Sequence, residues 1–310
     1  MEKIKAVMLG HAIGDALGVP VEFCNRKMLD KKPVTDMLGY GTYSVPAGTW
    51  SDDTSMALCA LKSLANGNID YDDIMYNFGK WYYNAEFTAT GVMFDVGITC
   101  CKAINRYFND NYPIDNCGLS DERSNGNGSL MRIHPFVLYA YYNHMDEKEL
   151  VNMVTKTSAL THSHQCSIDG CMIYAYILLE LLNNPSKESI YTGISKAENK
   201  VVFKNTYYNR LLNNDIALVD KADIKSGGFI VHSLEAAIWC VLTTDNYADC
   251  VLKAVNLGDD TDTVAAIAGG LAGALYGIDA IPQKWKNTLK RVTYIEDMCD
   301  DAYKVWCCNE

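Results

Sequence analysis

The chain has 310 residues, of which 49% are hydrophobic and 21% are charged. That composition supplies enough apolar side chains for a sizeable core and excludes a largely disordered chain. The formal charge is −11, and no run of Lys and Arg opposes it, which excludes a general nucleic-acid binder. No linker composition divides the chain, so we expect one domain over residues 1–310.

Neither a signal peptide nor a membrane span is predicted. The N-terminus has too little apolar length before His11 and Asp15 for a signal peptide, and the apolar stretch Val264–Ile278 is too short to cross a bilayer. The cysteines form no C-x-x-C pair, and several lie in apolar helical segments, as reduced and buried thiols do. We therefore expect a cytoplasmic protein that does not bind membranes.

Apolar residues recur at helical spacing along most of the chain, and period-2 alternation is nearly absent, so the sequence predicts an all-α fold. Three segments read as long loops, which in helical domains are often functional: Cys24–Ala47, with room for a short strand pair, Asp110–Gly128 and Lys200–Gly228. The expected helices are Ile4–Leu17, Asp52–Ala65, Tyr71–Tyr83, Val92–Phe108, Ser129–Tyr142, Glu147–Leu160, Cys166–Leu182, Ser233–Thr243, Tyr247–Leu257 and Thr261–Tyr276.

Two of these helices carry glycines at a spacing of four, which places the glycines on one face. A glycine inside a helix costs about 1 kcal/mol relative to Ala, so a row of three indicates that another backbone approaches closely. We predict that the two helices lie together at the centre of the bundle. The glycines are Gly10, Gly14 and Gly18 in the first helix and Gly269, Gly273 and Gly277 in the last.

Two acidic clusters stand at helix starts, one at Ser51–Thr54 and one at Asp259–Thr263. Ser51 is placed as an N-cap, and acids in a first turn suit the helix dipole, which would explain one such cluster. Two clusters made wholly of carboxylates and hydroxyls exceed what capping needs. Crowded carboxylates repel unless cations neutralise them, and oxygen ligands select Mg²⁺, Mn²⁺ or Ca²⁺. We predict a cation site shared by both clusters.

Other polar groups give weaker signals. The Gly/Asn-rich loop Ser124–Ser129, followed by Arg132, offers backbone N–H groups and a guanidinium to an anion. Glu22 lies in a turn where such a residue is usually solvated, and His162 and His164 lie where histidines more often cap or fill the core. The sequence has no Gly-x-Ser-x-Gly elbow and no Walker motif.

Taken in order, these motifs resemble the ADP-ribosylglycohydrolase family, which includes the dinitrogenase-reductase-activating glycohydrolases and the ADP-ribosylhydrolases. The resemblance covers about residues 4–278 and rests on Gly14–Gly18 with Glu22, Ser51–Thr54, Gly126–Arg132, Thr161-His162 and Gly258–Thr263. It implies a compact orthogonal multi-helix bundle with a binuclear Mg²⁺ or Mn²⁺ centre at the floor of a cleft.

The resemblance also implies residue roles. Glu22 would act on the scissile bond, and a looser match makes Asp95 a candidate base. Two positions depart from the family pattern: Ser51 stands where Thr is commoner, and Asp259 where Gly is frequent. The implied metal ligands are Ser51, Asp52, Asp53, Asp260, Asp262 and Thr263, and the implied substrate-binding residues are Gly126, Asn127, Gly128, Ser129, Met131 and His162.

The resulting hypothesis is hydrolysis of the glycosidic bond between ADP-ribose and an acceptor, above all a protein side chain, with ADP-ribose as product. Two metals would polarise the substrate and orient a water, and either Glu22 or Asp95 would manage the proton. The alternatives are a two-metal nucleotide pyrophosphohydrolase and a non-catalytic ADP-ribose-binding module. The sequence leaves open the acceptor (arginine, serine, a nucleic-acid base or a metabolite) and the choice between Mg²⁺ and Mn²⁺.

Overall fold

The computed structural model describes residues 1–200, 206–213 and 216–307, and within these ranges the secondary structure is helical, with three isolated β-bridges and no strand. The prediction of an all-α fold is confirmed. The α-helices are α1 (Glu2–Gly18), α2 (Arg26–Lys31), α3 (Asp52–Leu64), α4 (Tyr71–Asn84), α5 (Ile98–Phe108), α6 (His134–Tyr142), α7 (Glu147–Ala159), α8 (Gln165–Asn183), α9 (Lys187–Lys200), α10 (Asn209–Leu212), α11 (Ile230–Leu242), α12 (Tyr247–Val255), α13 (Thr261–Tyr276), α14 (Gln283–Thr288) and α15 (Val292–Cys307).

Two helices begin later than predicted. The predicted helix Val92–Phe108 starts only at Ile98, because Asp95 has left-handed backbone (φ 53°), which a right-handed helix excludes. The predicted helix Ser129–Tyr142 starts at His134, where Pro135 occupies the first turn, a favoured position for proline. The residues left outside these two helices, 92–97 and 129–133, include the predicted site residues Asp95, Ser129 and Met131.

The predicted loops contain more structure than expected. The loop Cys24–Ala47 holds α2 and a single bridge between Tyr40 and Val45, in place of a strand pair. The loop Lys200–Gly228 holds α10, although residues 201–205 and 214–215 lie outside the described residues. The helices α9, α14 and α15 were not predicted, and α15 buries Ile295, Met298, Cys299, Ala302 and Trp306, which recur at helical spacing.

The glycine faces pack α1 directly against α13, as predicted. A Cβ built on Gly10 or Gly14 would overlap the backbone of α13, and a Cβ on Gly273 would overlap the carbonyl of Ala6 on α1. Gly277 differs, because it ends α13 with φ 81° and has nothing near its missing Cβ. The close approach brings the C-terminal end of α1 beside the first turn of α13.

Two helical stretches are long and apolar enough to span a bilayer: Glu2–Val21 and Gln165–Asn183. Within the fold, 89% and 83% of these stretches are buried, as in core helices. The cysteines of the described residues are all free, and most are buried, in agreement with the expected reduced thiols.

Candidate active site

The two acidic clusters meet at the centre of the molecule. Ser51 caps α3 as predicted: its hydroxyl accepts from the Asp53 backbone N–H at 3.3 Å and donates to the Asp53 Oδ2 at 3.1 Å. The Thr263 hydroxyl, in the first turn of α13, donates to the same Asp53 oxygen at 3.2 Å. Segments 210 positions apart therefore share a hydrogen-bonded carboxylate.

Asp15 lies beneath this junction and was given no role by the sequence analysis. Its carboxylate accepts from the Ser51 N–H at 2.9 Å, the Thr54 N–H at 3.1 Å and the Thr54 hydroxyl at 2.6 Å. Burial raises the pKa of Asp15 to about 6, and the hydrogen bonds from Thr54 and Ser51 oppose that rise. Asp15 thus caps the N-terminus of α3 from another helix, which fixes the cluster in place.

Four carboxylate oxygens at the junction are buried without a hydrogen-bond donor: one oxygen each of Glu22, Asp53, Asp260 and Asp262. Burying an ionised carboxylate oxygen without a donor is energetically costly, and a bound cation removes that cost. Carboxylate oxygens form two groups, each within 4.8 Å of one another. One group is Asp15, Asp53 and Asp262, and the other is Glu22, Asp260 and Asp262, so Asp262 belongs to both. The donor set fits divalent cations that prefer oxygen ligands.

Burial and mutual repulsion favour the neutral form of the acids in this cluster. Burial raises the pKa values of Asp52, Asp53 and Asp262 well above the ordinary value, and the negative charges of the neighbouring carboxylates raise them further. A divalent cation would reverse that shift, because it favours the ionised carboxylate. A divalent cation in the cluster would therefore compete with protons for the same carboxylate oxygens.

Glu22 and Asp95 form a carboxyl pair beside the acidic clusters. Glu22 follows the 3-10 turn Val19–Val21, and Asp95 lies on the loop before α5. Burial raises the pKa of Glu22 to about 8, with a further contribution from the charge of Asp95. Burial and the charge of Asp260 raise the pKa of Asp95 as well. Two neighbouring carboxyls of this kind share a proton, with one neutral and one ionised.

Tyr43 contacts both acids of this carboxyl pair, and the sequence did not predict it. Its hydroxyl lowers the pKa values of both Glu22 and Asp95, because it donates to their ionised forms. Its ring packs against the ring of Phe94, with 4.9 Å between centroids. Tyr43 lies in the 3-10 turn Gly41–Tyr43, inside the segment that the sequence predicted only as a loop.

The Gly/Asn-rich loop lies next to the second acidic cluster. The Asn127 side-chain amide donates to the Asp260 Oδ2 at 2.8 Å and to the Ser233 hydroxyl at 2.9 Å, while its backbone N–H donates to the Gly228 carbonyl at 3.0 Å. Gly126 packs near His162, whose Nε2 would lie 3.6 Å from a Cβ at that glycine. The loop and His162 therefore form one wall beside Asp260.

His162 is neutral in this position. Burial lowers its pKa to about 3, and the positive charge of Arg132 lowers it further. Its Nδ1 is 2.6 Å from the Thr161 hydroxyl, which fixes the ring beneath the loop. His162 can thus offer a neutral ring to a ligand, but no charge.

The interpretation of Arg132 as an anion ligand is wrong. Its guanidinium is buried, donates to the Gly128 carbonyl and to the Thr161 hydroxyl at 2.9 Å, and lies 5.0 Å above the Phe78 ring. It therefore supports the loop from below.

The side chains of Ser129 and Met131 are buried as well, and the Ser129 hydroxyl accepts from that of Ser158 at 3.1 Å. These two residues would therefore contact a ligand through their backbone.

The segment before α11 completes the site and was also missed. The Asp260 backbone N–H donates to the Ser226 carbonyl at 3.0 Å. A Cβ on Gly228 would lie 3.1 Å from the Asp260 Oδ2, so any larger residue at this position would crowd the Asp260 carboxylate. The adjacent glycines Gly227 and Gly228, at the end of the predicted loop, were the only sequence signal for this contact.

Comparisons with known proteins agree with this geometry. A family model described as ADP-ribosylglycohydrolase matches residues 1–310. The chain is 32% identical over 305 residues to the ADP-ribosylarginine hydrolase Tri1 of Pseudomonas putida (strain GB-1), covering 98% of this chain and 78% of the relative. It is 28% identical over 291 residues to the ADP-ribosyl-[dinitrogen reductase] glycohydrolase of Rhodospirillum rubrum, covering 93% and 90%. A solved structure described as an ADP-ribosylglycohydrolase-related protein complex matches with a TM-score of 0.83 and 30% identity, covering 98% of both chains.

Proposed function

Because this chain belongs to the ADP-ribosylglycohydrolase family and is an enzyme that hydrolyses ADP-ribose linkages, we propose that its acceptor is an arginine side chain of a modified protein. The meeting of the two acidic clusters at Asp53 and Thr263 supports the hydrolytic chemistry, and two further observations support arginine as the acceptor. The Tri1 relative is named as an ADP-ribosylarginine hydrolase. A cationic guanidinium also suits a pocket that contains the carboxyl pair Glu22 and Asp95.

We infer that two Mg²⁺ or Mn²⁺ ions occupy the acidic clusters. The buried carboxylate oxygens without donors support this inference, and the absence of Cys or His from both oxygen groups favours these ions over zinc. When bound, the ions would supply positive charge that polarises the ribose and a nearby water. The ligands would be Ser51, Asp52, Asp53, Asp260, Asp262 and Thr263.

The wall beside Asp260 would hold the rest of ADP-ribose. With the ribose over Asp260 and Asp262, the adjacent loop meets the diphosphate, which backbone N–H groups can bind without a charged side chain. The neutral ring of His162 closes the wall under the loop. The binding residues in this assignment are Gly126, Asn127, Gly128, Ser129, Met131 and His162.

The carboxyl pair would move the proton of the reaction. As the C–N bond to the anomeric carbon breaks, its electron pair stays on the departing guanidine and positive charge builds on the ribose ring. Water adds to that carbon, and the proton it loses ends on the guanidine. We assign Asp95 as the ionised partner that takes the proton from water and Glu22 as the neutral partner, because Glu22 holds its proton to about pH 8.

We place the enzyme in the cytoplasm. The free thiols of the described cysteines are those that a reducing compartment maintains. The two long apolar helices are mostly buried in the fold, so neither offers a free surface to a bilayer.

The test is a panel of substrates with ADP-ribose on arginine, on serine, on a nucleic-acid base and on a small metabolite, each with and without a chelator. Metal-dependent release of ADP-ribose from arginine alone is the expected result. Release of AMP would support a pyrophosphohydrolase, and binding without turnover would support a non-catalytic module.

A matched pair of variants tests the metal ligands in the same assay. Asp260→Asn should abolish release and lower the bound-metal content, whereas Asp259→Asn, which changes an exposed acid next to it, should leave both unchanged. Near-normal turnover of Asp260→Asn with normal metal content would refute the proposed role.

A further inference from the structure

We propose that an exposed apolar collar around the carboxyl pair docks the polypeptide that carries the modified arginine. This inference rests on the proposed function. The collar consists of Phe23, Tyr40, Val92 and Ile98, whose exposed fractions are 69%, 66%, 62% and 75%. Single exposed apolar side chains are ordinary, but four of them on segments that converge on one pair of buried carboxyls mark a candidate interaction surface.

Two collar residues are turned outward by strained backbone. Phe23 and Tyr40 have φ values of 63° and 67°, which side chains larger than Asn rarely adopt. Phe23 directly follows Glu22, so the turn sends the carboxyl inward and the phenyl ring outward. Tyr40 opens the turn whose Thr42 hydroxyl donates to the Glu22 carbonyl at 2.8 Å. The fold thus tolerates strained backbone at two positions where an exposed aromatic ring lies on a segment that holds Glu22 in place.

The other two collar residues flank the second carboxyl. Val92 and Ile98 lie three residues before and three residues after Asp95. Their loop is joined to the Tyr40 turn by the packing of Phe94 on Tyr43, with ring centroids 4.9 Å apart. All four apolar side chains therefore belong to segments that are tied together around Glu22 and Asp95.

The occupant follows from the chemistry of the collar. ADP-ribose is polar and would bind along the loop that Asn127 ties to Asp260, a segment that carries none of the collar residues. A nucleic acid would meet a chain of net charge −11. The collar segments carry Glu22 and Asp95, so a group joined to the ribose at this pair lies beside the collar. Among the candidate acceptors, only a polypeptide brings both a guanidinium and neighbouring apolar side chains. Aromatic residues at the centre of an interface carry much of its binding energy.

The experiment compares a protein substrate with a minimal one. ADP-ribosylated protein and free ADP-ribosylarginine are supplied to Phe23→Asn and Ile98→Asn; Asn tolerates the left-handed backbone at position 23, so that variant should fold. We expect kcat/KM on the protein to fall at least about tenfold through KM, while kcat/KM on free ADP-ribosylarginine stays within about twofold. Leu218→Asn is the control, since it removes an apolar side chain that is 86% exposed on a turn packed against α11.

Equal losses of kcat/KM on both substrates, or no loss on either, would contradict the proposal that the collar docks the polypeptide. Wild-type enzyme that cleaves neither arginine substrate would overturn the proposed acceptor instead. In that event, binding measurements still test the collar, because the inference concerns the polypeptide around the modified side chain. If the collar docks the polypeptide, the same variants should bind an ADP-ribosylated protein more weakly than the wild type does and bind free ADP-ribose equally well.

Discussion

The carboxylate of Asp15 shows how one residue can organise a site without facing the substrate. Both of its oxygens accept hydrogen bonds from the first turn of α3, so they serve as a cap. A negative charge at this end of a helix is stabilised by the helix dipole. Because Asp15 and Ser51 satisfy the backbone N–H groups, the side chains of Asp52 and Asp53 stay available for cations.

Asp15→Asn should weaken cation binding with little change in shape. The amide would turn an NH₂ group toward backbone N–H donors and lose at least one hydrogen bond, so the first turn of α3 would shift. We expect an approximately tenfold loss of Mn²⁺ affinity by calorimetry and a comparable loss in kcat. Asp259→Asn, on an exposed acid with φ 60°, is the control and should bind Mn²⁺ normally. Unchanged affinity of Asp15→Asn would show that the cap is not needed.

At the same scale, the sequence predicted the acidic clusters but not their support. Asp53 and Asp262 could be inferred because carboxylates beside helix starts are visible in the chain. Asp15 and Tyr43 could not, since each acts through a contact that only the tertiary fold creates. Arg132 was misread for the opposite reason: a guanidinium after a glycine-rich loop suggests an anion, yet here the loop curls over it.

At the scale of elements, the site depends on how closely α1 approaches α13. The glycine face of α1 lets the backbones touch, and this contact sets the distance between Asp15 and Asp262. Any side chain at these glycines would separate the helices, as overpacking does in a close-packed core.

Gly14→Ala should therefore both destabilise the fold and impair the site. Its Cβ would overlap the Ala265 carbonyl, and we expect a loss of about 1–3 kcal/mol in the free energy of unfolding, measured by urea titration. Gly97→Ala, where nothing lies near the added carbon and φ is −61°, should cost less than about 1 kcal/mol, which is the cost of replacing Gly by Ala at the N-cap of α5. Equal effects of the two changes would contradict the close packing of α1 and α13.

The elements themselves were largely predictable, because partly exposed helices such as α4 keep an apolar stripe and the almost fully buried α1 and α13 stand out as long apolar segments. The helix starts were less so. The chain before α5 has helical periodicity, but the left-handed backbone at Asp95 depends on tertiary contacts. Likewise α9 is polar and α15 acidic, and their apolar stripes matter only because the bundle covers them.

At the scale of the whole molecule, we propose that residues 1–310 fold as one domain. The buried hydrophobic side chains of the described residues form one connected core that includes residues from both α1 and α15. Carboxyl groups such as Asp15 and Asp53 are buried in this fold, so its stability depends on pH, and we expect bound cations to change that dependence.

The cation-free protein should lose stability as pH rises from about 6.5 to about 8. The pKa of Glu22 is raised from 4.5 to about 8 in the folded state, so between these values the folded chain holds a proton that the unfolded chain has lost. Stability from this group is complete below about pH 4.5 and declines toward pH 8. The buried neutral histidines His11, His134 and His162 act in the opposite direction below about pH 6.5, because only the unfolded chain protonates them there. We therefore expect one unfolding transition whose Tm falls between about pH 6.5 and pH 8 in chelator. Added Mn²⁺ should raise Tm more near pH 8 than near pH 5, because ionised carboxylates bind it. An equal rise at both would contradict the linkage.

The central claim is that the segments around Asp53 and Asp262 hold divalent cations jointly. Its most direct test is Mn²⁺ titration followed by electron paramagnetic resonance on the wild type, Asp53→Asn and Asp262→Asn. The account predicts two ions bound close enough to couple in the wild type, with the coupled signal lost in both variants. A coupled signal that survives either substitution, or a single uncoupled ion in the wild type, would contradict it.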